Sequence, residues 1–211
     1  MTPFAGIPAA AFEFYAELEH NNNRDWWLDH KSIYDSAVKG PLTGLLEKLE
    51  PEFGEAKLFR PNRDIRFSLD KSPYKTAQGA LAAVAEGTGF YVQLSADGLL
   101  IGGGYHTHTP AQVARFRSAV DAPSSGAALQ QIVEQVEALG FAVEGETLKT
   151  VPRGFAKDHP RAELLKHKSL AAGMLVGRPD WISTPDAARE VARRWEELRP
   201  LIEWIGRYAA P

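Results

Sequence analysis

The sequence contains no cysteine. That absence excludes disulfide cross-links, thiolate nucleophiles and cysteine-ligated metal centres. No apolar run approaches the roughly 20 residues that a helix needs to cross a bilayer. The stretch after Met1 has neither the basic start nor the continuous apolar core of a secretory leader. The expectation is a soluble, cytoplasmic protein that does not enter a membrane. Three chemical signatures are also missing: the phosphate-cradling GxxxxGK[ST] loop, the zinc-protease HExxH and the nucleophile elbow GxSxG. No cofactor is therefore expected, and spacing marks no nucleophile–base pair. With 211 residues, 44% of them hydrophobic, the chain has the material for one substantial core, and one domain over residues 1–211 is predicted.

What is present is charge gathered in two places. The chain carries a net −3, yet Lys57 to Lys75 holds six Lys/Arg against Asp64 and Asp70, and Lys149 to Lys168 holds six against Asp158 and Glu163. Each block is locally +4, which leaves −11 on the remainder. Such asymmetry asks for an anionic partner or a network of ion pairs.

Within the first block Ile65, Phe67 and Leu69 share one parity, while Arg66, Ser68 and Asp70 share the other. Period-2 alternation predicts a half-buried strand over Ile65–Leu69, ended by Ser72-Pro73. Further strands are predicted over Gly79–Glu86, Gly89–Ala96 and Leu99–Gly103, the last two joined by an Asp97-Gly98 hairpin turn. Short extended pieces follow at Phe141–Val143 and Leu148–Val151. Helical spacing predicts helices over Pro8–His20, Arg24–Gly40 with a continuation to Pro51, Thr109–Ala119, Ser124–Leu139, a start at Asp158-His159-Pro160, and a C-terminal helix from Ser183–Asp186 that Pro200 kinks or breaks. Trp26 and Trp27 are read as core anchors. The fold class is α+β: an antiparallel meander of about four to six strands packed with N- and C-terminal helices.

The segment RDIRFSLDKSPYK resembles the signature of a family of conserved hypothetical proteins, a domain of unknown function. NNNRDWWLDHKSIYDSAVKGPL resembles that family's N-terminal block, PRGFAKDHPRAELLKHKS its later block and LRPLIEW its C-terminal end. The resemblance implies one compact α+β domain. It brings no established activity, cofactor or substrate.

The residues themselves point to a cleft for a small phosphate- or carboxylate-bearing ligand. Its candidate binders are Arg63, Arg66, Ser68, Lys71 and Lys75 from the first block and Arg153 and Lys168 from the second, with Lys168 on the apolar stripe of its helix. Arginine matches such oxygens with a planar fork and lysine adds a point charge. Asp70 is the candidate base, and Tyr74 and His159 are the candidate proton donors. His106 and His108 form an i, i+2 pair that would suit a metal, but no third ligand accompanies them, and surface or capping roles are preferred. Gly102-Gly103-Gly104 serves either an anion cradle before a helix or close backbone approach at a strand end. Other readings stay open: an interaction module for nucleic acid, less favoured at a pI near 6.1, or for a protein partner, and a purely structural ion-pair network with no ligand. Whether the chain is an enzyme, and its oligomeric state, are left open.

Overall fold

The computed structural model describes residues 4–66, 69–105 and 109–210. It has the expected α+β class: helices and one six-stranded antiparallel sheet. The strands are β1 (Ala56–Leu58), β2 (Ala77–Ala85), β3 (Thr88–Ser95), β4 (Gly98–Tyr105), β5 (Ala142–Glu144) and β6 (Leu170–Gly177), in the order β1-β2-β3-β4-β6-β5. The meander and its β3–β4 hairpin are as expected, but the turn residues are Ala96-Asp97 and Gly98 (φ +125°) opens β4 instead of completing the turn. On β3, Phe90, Val92 and Leu94 are buried while Tyr91, Gln93 and Ser95 are half-buried, which is the period-2 pattern of a strand with one face in a core. The chain packs as two compact units. One is built from the described residues up to Ala82 with 91–101 and 175–193; the other is built from 83–90, 102–174 and the residues from Arg194 on.

The first unit begins with α1 (Ala9–His20), which buries Phe12, Phe14, Tyr15 and Leu18. Helix α2 (Arg24–Ile33) starts where the Asn23 side chain accepts from the Trp26 N–H at 3.0 Å. Tyr34–Lys39 then forms a π-turn before α3 (Gly40–Phe53). The Gly40 N–H reaches back five residues to the Asp35 carbonyl. Pro41 gives the physical reason, since it offers no N–H and its ring would press on the carbonyl four residues earlier. Widening one turn relieves that conflict without ending the helical run.

The expected strand over Ile65–Leu69 is not formed at its described positions. Phe67 and Ser68 lie outside the described residues, Ile65 and Arg66 are not in a strand, and Leu69 is fully exposed. Alternation signals a strand only when its apolar row has a core to enter. Here the segment is instead a loop between β1 and β2, closed at its neck by an antiparallel bridge between Asn62 and Tyr74. The Arg63 N–H donates to the Pro73 carbonyl and the Lys75 N–H to the Pro61 carbonyl, both at 2.9 Å. That pairing leaves Tyr74's own N–H and C=O facing away from Asn62. The Asn22 side-chain amide takes both, Nδ2 donating to the Tyr74 carbonyl at 2.9 Å and Oδ1 accepting from its N–H at 3.1 Å. Asn22→Ala leaves both groups partly buried and unpaired, so urea unfolding of that variant is expected to show a loss of about 2 kcal/mol. A loss indistinguishable from zero would mean that water replaces the amide at the neck.

The second unit holds α4 (Pro110–Asp121), α5 (Pro123–Ala138), α6 (Ala162–Lys166) and the last turns of α7 (Asp186–Tyr208). Thr109 and Gln112 close a reciprocal capping box on α4, as the Thr-Pro pair leads one to expect. Arg161 donates to the Val120 and Asp121 carbonyls at 2.7 and 3.0 Å, serving the otherwise unmet C-terminal carbonyls of α4. Helix α7 runs through Pro200 without interruption, so the expected break is not formed. Pro200 is exposed, and burial of Trp195, Leu198, Leu201 and Trp204 around it outweighs the missing hydrogen bond. Helix α6 ends at Lys166, so Lys168 lies beyond the helix instead of on its stripe. A Cβ on Gly102 would come 2.7 Å from the Ala172 carbonyl oxygen, and one on Gly104 (φ +146°) would come 2.4 Å from the Ala171 Cα. The glycine run therefore serves close backbone approach within the sheet.

His167 sits in this unit, its Nδ1 2.9 Å from the Ser169 carbonyl, where it must donate. Burial pushes its pKa below the ordinary histidine value, with that hydrogen bond and Glu163 opposing. An imidazole held neutral by folding stabilises the native state above its unfolded pKa, near 6.5, and that contribution is lost as pH falls below it. Denaturant midpoints are expected to drop as pH falls below about 6.5, and His167→Asn, which keeps a donor for Ser169, to flatten the drop. An unchanged pH profile in that variant would assign the effect to other groups.

Candidate functional site

The helical run from α2 to α3, β1 and the loop neck enclose a cleft of about 750 Å³ inside the first unit. Its charged rim is Lys31, Lys39, Lys57, Arg60 and Lys75 against one carboxylate, Asp35. Lys31 and Asp35 pair across one helical turn. Among the described residues, Lys39, Lys57, Arg60 and Lys75 have no carboxylate within ion-pair distance. The rest of the lining is largely aromatic and apolar: Trp27, Tyr34 and Phe59, flanked by Leu58 and Pro61.

The sequence builds this wall in layers. Trp27 is buried and lies parallel to Tyr74, with ring centroids 4.1 Å apart and 10° between planes. Tyr34 meets Trp27 at 4.9 Å, and its hydroxyl donates to Gln78 Oε1 at 2.8 Å. Burial, with Asp35 adding to it, pushes the Tyr34 pKa up to about 12, so it is a fixed donor at neutral pH. The Phe59 N–H donates to the Gly79 carbonyl at 2.9 Å, and the Lys75 ammonium lies over the Phe59 ring, 5.7 Å from its centre. The π-turn carries Tyr34, Asp35 and Lys39, which line the same cleft as Lys31. π-Turns of this kind recur at functional sites.

Most of the residues singled out in the sequence are engaged elsewhere. Arg63 pairs with Asp70, whose Oδ1 also accepts the Ser72 N–H at 2.9 Å. Arg66 forks onto Asp64 at 3.0 and 2.6 Å and, with its backbone N–H, holds that carboxyl below the ordinary carboxylate pKa. The Lys71 ammonium donates to the Ile65 carbonyl at 2.9 Å. Among the described residues, Lys75 is the one expected binder from this block that lines the cleft. Tyr74 is buried behind the wall. In the second unit, Lys168 pairs with Glu146 and Arg153 is exposed at a turn. The His159 Nδ1 accepts the Arg161 N–H at 3.0 Å just before α6, while its Nε2 faces Asp121 at 3.3 Å. Ser68, His106 and His108 lie outside the described residues. Among the described residues, no group of three or more His, Asp or Glu side chains is placed to hold a metal ion, and no helix is long and apolar enough to cross a membrane.

A family described as conserved hypothetical protein (DUF2461) matches residues 10–204. The chain belongs to that family. The span that identifies it as a DUF2461 protein includes every residue lining the cleft. No curated protein and no solved structure matches it.

Lys31, Lys39, Trp27, Tyr34 and Phe59 were not among the site residues expected from sequence. A usable signal existed for three neighbours: Lys31, Asp35 and Lys39 recur every fourth residue, which places them on one helical face.

Proposed function

We propose that this DUF2461 protein binds a small phosphate- or carboxylate-bearing ligand in the cleft of its first unit. The observation that carries the reading is the charge balance of the lining: five cations meet one carboxylate. Cations collected around a concave, partly apolar surface repel one another unless an anion joins them, and a low-dielectric wall strengthens each contact. Arg60 offers the planar fork, and Lys39, Lys57 and Lys75 the point charges. The reading is one of binding. Tyr34 holds its proton, and Asp35 is already paired with Lys31.

The test is thermal unfolding of the full chain with phosphate, pyrophosphate or citrate, each compared with potassium chloride at equal ionic strength. A ligand of the native state raises the midpoint in proportion to the logarithm of its concentration. Midpoints that follow ionic strength alone, whichever anion is added, would sink the proposal.

A further inference from the structure

We propose, resting on that reading, that the ligand is a mononucleotide, its phosphates on the cationic rim and its base against the aromatic wall. A ring-free anion would use only the charges and leave the half-buried Phe59, Leu58 and Pro61 wetted, with the buried Trp27 and Tyr34 behind them. The wall is held in place before any ligand arrives. Trp27 is fixed against Tyr74, the Tyr34 hydroxyl is bonded to Gln78, and the Phe59 backbone is bonded to Gly79. Such pre-ordered aromatic surface costs little entropy on binding. Phe59 is the half-buried member, so its ring, which has the Lys75 ammonium 5.7 Å from its centre, is the part of the wall left for a base.

Two polar groups of the lining fit the same occupant. The Asp35 carboxylate opposes a bare phosphate but accepts a hydrogen bond from a ribose hydroxyl or an exocyclic amine. The exposed Asn62 amide offers both a donor and an acceptor to a base edge. A cleft of about 750 Å³ is within the size range of sites for ligands of this class.

The test is calorimetric titration of the full chain with ATP and, separately, with tripolyphosphate, which carries at least as much charge and no ring. ATP is expected to bind about tenfold tighter or better, the increment of one stacked base. In Phe59→Leu that preference is expected to collapse. As a readout that needs no variant, 2-aminopurine riboside triphosphate is expected to lose fluorescence on binding the wild-type chain, because stacking quenches it. Equal affinity for ATP and tripolyphosphate, or binding of the fluorescent analogue with undiminished emission, would overturn the nucleotide inference and leave the anion site standing. Binding of neither would end both. A short oligothymidylate held more tightly than any mononucleotide would also overturn it, in favour of a single-strand groove.

Discussion

Trp27→Ala is expected to lower the unfolding free energy by about 3–5 kcal/mol, the range for deleting a large buried aromatic. The size follows from its surroundings. Trp27 is 6% exposed and touches three rings at once: Tyr74 in parallel at 4.1 Å, Tyr34 tilted at 4.9 Å and Phe14 edge-on at 5.6 Å. Those partners come from separate segments, α1, the π-turn and the loop neck, so collapse of the cavity would have to move all three. Incomplete collapse is what makes such deletions costly. Trp26 is the internal comparison. It is half-buried, stacks on His30 at 4.0 Å within the same helix and meets a single ring of another segment, Phe14 at 5.4 Å, contacts of about 1 kcal/mol each. Urea unfolding of the two variants measures the difference. Equal losses would mean that Trp27 is not the residue joining the helices to the loop. The expectation from sequence treated both tryptophans as core anchors, and only Trp27 is fully so.

That pair shows how far the sequence could be read. Helix ends were legible because capping is local chemistry: Thr109-Pro110 with Gln112 needs nothing distant to form its box. The β3 stripe and the β3–β4 hairpin were legible for the same reason, although its turn falls at Ala96-Asp97, one residue earlier than expected. Strand β6, Leu170–Gly177, was not foreseen, because its run of alanine and glycine has no alternation and few β-branched residues. It becomes a strand through partners far away in sequence, as Ala142–Glu144 pairs with Ala171–Gly173. The loop of residues 63–73 misled in the opposite direction. Ile65 and Leu69 have strand parity, but the arginines of this loop find Asp64 and Asp70 within it, so its charge is largely met locally.

The candidate site was half legible for a related reason. Net charge of a segment can be counted, but which of its cations lack partners depends on geometry. The block from Lys57 to Lys75 was correctly singled out as cationic. Its outer members, Lys57, Arg60 and Lys75, line the cleft, whereas its central arginines are paired. The other wall comes from a helical run whose π-turn cannot be read from periodicity, because one widened turn rotates every later residue on the helix.

Neutralising two of the cleft's cations should separate a binding site from a scaffold by the sign of its effect on stability. Lys39→Gln with Lys57→Gln removes two charges that have no carboxylate within ion-pair distance among the described residues. If the cations serve a ligand, the unliganded protein tolerates repulsion among them, and the double variant is expected to be more stable by about 0.5 kcal/mol. Its affinity for pyrophosphate is expected to fall by on the order of a hundredfold, at about 1.4 kcal/mol for each charge removed. If the cations instead hold the fold together, the same variant should lose stability with no change in any anion response. Paired measurement of the ligand-free midpoint and the pyrophosphate-induced shift distinguishes these outcomes within one experiment. Arg66→Ala is the matching control: its fork onto Asp64 is exposed and screened by solvent, and removing it should leave both the ligand-free midpoint and the pyrophosphate shift unchanged. A gain of stability with a loss of anion binding is the result that a built site produces, because function tolerates local repulsion that folding alone would have removed.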